Sequence, residues 1–273
     1  MTSDAAAAAR WTVAELDEAP APLPDLPHTR FEDVTVPAVI TELAAGRAIR
    51  PIWRNEIGGV TFQLDGGAEY VKYGPPHPEF RPDDEWARLT WVGQFVNAPK
   101  PIDHGADASG NHWLRTAGLA GTSAVLDGWR SRAEQVVPEL GRALRHFHDV
   151  VPVAECPWVW SVEDRLADRR GGLSTEHGAE SSALTQCIPP LDAVVCHGDA
   201  CNPNFLLDPA GQCVGYVDLG QLGTADRWAD LAPALMSLTW NFGDGWRAAF
   251  LAGYGIALDA EKLDFYTRLW NTE

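Results

Sequence analysis

The sequence predicts an α+β fold in two lobes, a small antiparallel sheet followed by a helix-rich half. Three observations carry that expectation. Short strand-like runs separated by turn residues fill the first ~120 residues. From Ser131 onward the apolar spacing becomes helical. The chain has 273 residues, 45% of them hydrophobic, enough for one large domain or two coupled lobes.

Taken in order, residues 1–35 form a leader segment, with Pro-rich "APAPLPDLP" unlike any regular element. "VPAVITELAAG" (36–46) has helical apolar spacing, with Gly46 as a stop. Strand-like runs follow at 49–53, 59–64 and 68–74, and Asp65-Gly66-Gly67 marks a hairpin. "PDDEWARLTWVGQF" (82–95) is helical, with acids near its N-terminus. Residues 100–118 are two strands around a polar turn at 107–111. A first lobe is therefore expected over 36–118 and a second over 119–273.

In that second lobe, "SRAEQVVPELGRALRHFHDV" and "SVEDRLADRRGG" are helical, the latter ended by Gly171-Gly172. Apolar runs "AVVC" and "GYVD" flank a polar loop. "DRWADLAPALMSLTW", "DGWRAAFLAGYG" and "AEKLDFYTRLW" are three further helices. A sheet lobe followed by a helical lobe implies a cleft where ligands bind.

The formal net charge of −17 makes nucleic acid a poor partner. No stretch of ~20 apolar residues suggests a membrane helix. The N-terminus lacks the basic, apolar pattern of a secretory signal. Five cysteines, an odd number, point to reduced thiols and a cytoplasmic location.

The polar loop is "VVCHGDACNPNFLLD" (194–208). The spacing of Cys196, His197, Cys201 and Cys213 matches no paired zinc pattern, so the cysteines read as small packing residues. His197, Asp199 and Asn204 give H-x-D-x-x-x-x-N, and Asp218 follows a strand-like run. Phosphoryl transfer asks for these parts: a carboxylate to take the acceptor proton and hard oxygen ligands for magnesium. Asp199 would be the base, with Asn204 and Asp218 as metal ligands.

The same chemistry asks for a strand lysine paired with a helix glutamate. Lys72 lies in "YVKYG" and Glu85 lies in the next helix. Gly58 and Gly59 in "NEIGGVTFQL" would cover the phosphates, but equally make a plain hairpin.

"VVCHGDACNPNFLLD" and "GYVDLGQLGTADRWADLA" resemble the aminoglycoside phosphotransferases, antibiotic kinases of bilobal, protein-kinase-like fold. "YVKYG", "EWARLTWV", "TAGLAGTSA", "ECPWVWSVEDRLAD" and "FYTRLW" extend the resemblance over roughly residues 36–273. The nearest resemblance is to enzymes acting on a 3-prime or 3-double-prime hydroxyl.

The resemblance implies that the first lobe binds ATP or GTP, with its base at the connector Thr116–Leu119, and that Mg²⁺ is needed. It implies Asp199 as catalytic base and Lys72 with Glu85 on the nucleotide side. His197, Asp226, Arg227 and Asp230 match positions of structural support. Asp226 would take hydrogen bonds from the catalytic-loop backbone and Arg227 would pair with an acid.

The resemblance also implies carboxylates around a polycationic acceptor, and here the sequence departs. "DRRGGLSTEHGAESS" lacks an acidic cluster, "ALMSLTWNFGDGW" carries neutral residues, and "RLWNTE" puts Trp270 and Asn271 at an expected acidic pair. Trp160, Trp240, Asn241 and Trp270 are candidates to line a more neutral, aromatic acceptor site. The expected acceptor is an aminoglycoside antibiotic, with a less cationic natural product such as a nucleoside antibiotic as the alternative. An inactive nucleotide-binding module is the alternative of another class. The short stretch between Asp218 and Asp226 argues against a protein kinase.

Overall fold

The computed structural model describes residues 31–271, apart from 32, 56, 127 and 170–183. The expected leader, the helix end at Gly171-Gly172 and most of "DRRGGLSTEHGAESS" therefore lie outside the described residues. The described chain divides into two compact units. One holds residues 31–124 with 203–221, the other 125–202 with 222–271.

The first unit is built on an antiparallel five-stranded sheet. Its strands are β1 (Ile49–Arg54), β2 (Val60–Leu64), β3 (Glu69–Gly74), β4 (Pro101–Ala106) and β5 (His112–Ala117), in the order β1-β2-β3-β5-β4. Strand alternation sorts the residues. Phe62, Leu64 and Val71 point to one face and pack with Ile40 and Ala44 of helix α1 (Ala38–Ala44). Burying each of the Phe, Leu, Val and Ile side chains contributes roughly 1.5–3 kcal/mol. Thr61 pairs with Lys72 and Gln63 with Tyr70, so these four residues share the opposite face.

Helix α2 (Pro82–Val92) begins with proline at its first turn and three acids, Asp83, Asp84 and Glu85. Glu85, Leu89 and Val92 recur at helical spacing and are all buried. Glu85 thus rides on the face that packs inward.

A second sheet in this unit joins β6 (Thr122–Ser123), β8 (Phe205–Leu207) and β9 (Cys213–Tyr216) in the order β6-β8-β9. The Val217 amide donates to the Asn204 carbonyl at 3.0 Å. That bond draws Asn204 and Asp218 to one end of the β8–β9 hairpin.

The second unit holds α3 (Ala133–Val150), α4 (Val162–Arg169), α5 (Trp228–Phe242), α6 (Arg247–Tyr254) and α7 (Ala260–Asn271). It also holds the antiparallel pair of β7 (Ala193–Cys196) and β10 (Gly223–Asp226). Helices α3 and α6 meet backbone to backbone. A Cβ on Gly141 would stand 2.2 Å from the Phe250 carbonyl, and one on Gly253 would stand 2.2 Å from that of Pro138. Only glycine permits that approach.

The two runs that flank the polar loop belong to different sheets. "AVVC" pairs with Gly223–Asp226, while Cys213–Tyr216 pairs with Phe205–Leu207. These strands are three or four residues long, too short for a period-2 pattern, and their form comes from long-range pairing.

Candidate active site

In the sheet unit, the Lys72 ammonium lies 2.6 Å from Glu85 Oε1 and 2.6 Å from Asp218 Oδ1. The three residues come from β3, α2 and the segment after β9. Burial by itself would lower the Lys72 pKa. The negative charges of Asp218 and Glu85 outweigh that, and its pKa is raised. Burial raises the Glu85 carboxyl; attraction to Lys72 offsets only part, and the nearby Asp218 charge raises it further. Glu85 is 3% exposed, whereas the Asp218 side chain is 47% exposed. The pin is buried and the second carboxylate faces out.

Asp218 holds φ of +63°, a left-handed backbone that a non-glycine residue seldom adopts. Such conformations persist where the surroundings impose them, often at ligand sites. Lys72, Glu85, Asn204 and Asp218 all line one cavity of about 420 Å³. Thr116 and Leu119 form part of the same wall. Asn204 and Asp218 offer oxygen donors, the hard ligands that magnesium prefers, so the donor set fits that ion.

Tyr70 and Gln63, which sequence reasoning missed, line this cavity too, and Gln63 Nε2 donates to the Tyr70 hydroxyl at 3.0 Å. Tyr70 offers an aromatic face to a flat group. The "Y-x-K" alternation could have revealed it. Gly58 and Gly59 are placed differently: they close the β1–β2 hairpin, with Gly59 N donating to Asn55 Oδ1, and are not part of the cavity wall.

In the helical unit, Asp199 is half-buried on the loop after β7. Asp230, on the first turn of α5, anchors that loop. Its Oδ2 accepts from the His197 amide at 2.6 Å and its Oδ1 from the Gly198 amide at 3.0 Å. The resemblance assigns this role to Asp226. In the structure Asp226 instead accepts from the Asp192 and Trp228 amides and from Lys262 Nζ. Asp226 ends β10 and Asp230 lies four residues on, in the first turn of α5, and the sequence alone does not say which faces the loop. Arg227 pairs with an acid as expected: its Nη2 donates to Asp192 Oδ1 at 2.9 Å.

Burial works to raise the Asp230 carboxyl. Hydrogen bonds from the His148 ring and the Gly198 amide help to outweigh this, and the group is held below the ordinary aspartate range. His148, Tyr254, Asp192 and Lys262 in this network escaped sequence reasoning. Cys196 is fully buried and its thiol is pushed well up by burial, consistent with a packing role.

The four aromatic and amide candidates differ in placement. Trp160 is buried, with Arg165 lying 4.4 Å over its ring. Asn241 is buried and donates to the Ser237 hydroxyl and carbonyl. Trp270 is half-buried, and Trp240 is 49% exposed. The Asn202 amide donates to the Ser237 hydroxyl at 2.9 Å, tying α5 to the loop that carries Asp199. Trp240 lies three residues beyond Ser237, on the same side of that helix.

Residues 61–266 match the family described as "Phosphotransferase enzyme family". The chain belongs to that family. It is an enzyme of phosphoryl transfer with a kinase-like α+β fold. Among its relatives is an aminoglycoside 3'-phosphotransferase of Streptomyces fradiae, 33% identical over 78% of this chain and 90% of the relative. A streptomycin 3''-kinase of Streptomyces griseus is 33% identical over 78% of this chain and 88% of the relative. The structure of aminoglycoside phosphotransferase APH(3'')-Id from Streptomyces rimosus is 28% identical, with a TM-score of 0.69 over 86% of this chain and 97% of its own. The same enzyme is known in complex with ADP and streptomycin. No helix of the described residues is long and apolar enough to cross a membrane.

Proposed function

We propose that this enzyme moves the γ-phosphate of ATP or GTP to a hydroxyl of an aminoglycoside antibiotic in the cytoplasm, and so confers resistance. The observation that carries the reading is the Lys72 ammonium, held at 2.6 Å by both Glu85 and Asp218 on the wall of a cavity. A strand lysine pinned by a buried helix glutamate presents one fixed positive charge to phosphate oxygens. The relatives' activities support the acceptor class.

In this reading Asp199 takes the proton of the acceptor hydroxyl as that oxygen bonds to the γ-phosphorus and the bond from the γ-phosphorus to the β–γ bridging oxygen breaks, releasing ADP or GDP. Lys72 orients the α- and β-phosphates, and Glu85 keeps Lys72 from swinging away. Thr116 and Leu119 flank the base and Tyr70 offers it a flat face. Asn204 and Asp218 would hold Mg²⁺, whose chemistry is to neutralise phosphate charge during transfer. Asp230 holds the loop at the His197 and Gly198 amides, while Asp226 and Arg227 hold Asp192, just ahead of β7. The product carries about two added negative charges, which spoils the drug's fit to its target.

One observation favours a second acceptor class. The α5 face tied to the Asp199 loop carries Ser237, exposed Trp240 and inward-turned Asn241, with no carboxylate among them. An aromatic, neutral surface suits a less cationic compound such as a nucleoside antibiotic.

The test is turnover by purified protein with Mg²⁺ and ATP or GTP against kanamycin, streptomycin and nucleoside-type antibiotics, with mass detection of an added phosphate. Phosphorylated aminoglycoside that disappears with Asp199→Ala supports the main reading. Product with a nucleoside antibiotic alone shifts the acceptor class. No product from any compound, with wild type and Asp199→Ala alike, overturns the enzyme reading in favour of an inactive nucleotide-binding module.

A further inference from the structure

We propose that His148 is a positioning residue for the phosphoryl transfer, acting through Asp230 on the loop that carries Asp199. The inference rests on the reading of Asp199 as the base. Three residues that are far apart in sequence meet in the helical unit. His148 Nε2 lies 2.9 Å from Asp230 Oδ2, and His148 Nδ1 lies 2.7 Å from the Tyr254 hydroxyl. Arg227 Nη1 donates to that same hydroxyl at 3.0 Å.

The bonding pattern assigns directions. Arg227 can only donate, so the Tyr254 oxygen accepts from it and its own hydrogen is available for His148 Nδ1. His148 Nε2–H then donates to Asp230. Both His148 and Asp230 side chains are fully buried, so water does not compete for these bonds.

The geometry at Asp230 gives His148 its task. Oδ2 receives both His148 and the His197 amide, while Oδ1 receives the Gly198 amide. A carboxylate with only two backbone donors can turn about its χ2 bond. A third donor on a fixed ring holds its plane so that each oxygen meets its own N–H. Gly198 has φ of +89°, so the chain turns sharply just before Asp199. Loss of either amide bond there moves the base itself. A misplacement of about 1 Å at a reacting group costs roughly a hundredfold in rate.

The test compares full-length wild type with His148→Phe and His148→Gln. Phe keeps a ring of similar size without donors; Gln restores an amide N–H toward Asp230. Three readouts are taken: kcat and nucleotide KM, hydrogen exchange of residues 194–204, and the melting temperature. For His148→Phe, kcat falls roughly tenfold or more while nucleotide KM stays within about twofold. Exchange accelerates in 194–204 ahead of the rest of the helical unit, and His148→Gln recovers most of both effects.

Wild-type kcat and exchange in His148→Phe overturn the proposal. So does equal loss in Phe and Gln, or a uniform rise in exchange with a lower melting temperature, which marks a merely structural role. Should His148→Phe fail to fold, Tyr254→Phe carries the test. It removes one hydroxyl, and a smaller kcat loss that is non-additive with His148→Gln supports the relay; an additive loss overturns it. If wild type phosphorylates nothing in the panel, the functional reading fails separately, and the exchange data still decide whether His148 holds the loop.

Discussion

The two units each gather charge around one residue, but in opposite styles. In the sheet unit, Lys72 is shared by two carboxylates, and one of them, on Asp218, remains half open to a cavity. In the helical unit, Asp230 is sealed and surrounded by three hydrogen-bond donors from His148, His197 and Gly198. The first arrangement keeps charge available for a ligand. The second uses charge to fix backbone. A cluster that keeps one carboxylate open can take a ligand, whereas a sealed cluster with matched donors is finished.

The largest expected effect comes from Lys72→Ala, which removes the shared cation. Turnover falls by about a hundredfold or more and nucleotide KM rises. The melting temperature changes far less than turnover does, and steady-state kinetics beside thermal melts check this.

Asp230→Asn comes next and reverses that balance. It leaves an amide where three donors converge, and stability falls by about 3 kcal/mol, seen in denaturant unfolding. The effect has a defined pH dependence. The Asp230 pKa is lowered in the folded protein, so its stabilisation is fully present above the ordinary aspartate value of 3.8. It fades as pH falls below that value through the lowered folded pKa. The stability gap between wild type and Asp230→Asn is therefore constant near neutrality and narrows only in strong acid. A gap that narrows already near pH 6 would show that another group carries the linkage.

Gly141→Ala probes the packing beneath the sealed network. The new methyl meets the Phe250 carbonyl and the Tyr254 amide, at a cost of about 2 kcal/mol by calorimetry or denaturant unfolding. On the proposed reading, which puts the nucleotide in the sheet unit, nucleotide affinity stays close to wild type.

The smallest effect is expected from Trp240→Ala. Acceptor KM rises severalfold, about 1 kcal/mol, with nucleotide KM unchanged. Unchanged acceptor KM would place the acceptor away from the exposed end of α5.

Much of this site was legible because its parts are local. Lys72 and Glu85 sit on neighbouring elements 13 residues apart, and each announces itself by strand or helix spacing. The run from His197 to Asn204 carries its own chemistry in order. What escaped was set by tertiary packing. The Lys72–Asp218 contact spans 146 residues. His148 and Tyr254 meet across 106 residues, and nothing in "RHFHDV" or "LAGYG" says so. The clamp belongs to Asp230 rather than Asp226 because Asp226 is fixed in the β10–β7 pair while Asp230, on the first turn of α5, reaches the His197 and Gly198 amides. The three-residue strand Phe205–Leu207 escaped for the same reason: it is specified by its partners rather than by its own alternation.

The contact of α3 with α6 through Gly141 and Gly253 has a consequence for how such an enzyme can diversify. The spacing between the His148 and Tyr254 rings is set by main chain against main chain, a gauge that side-chain drift nearby cannot recalibrate. Trp240, by contrast, sits on an outward face where substitution disturbs no buried bond. A library seeking new acceptors can vary position 240 widely while holding 141 and 253 constant, and the buried network around Asp230 is inherited unaltered by every member.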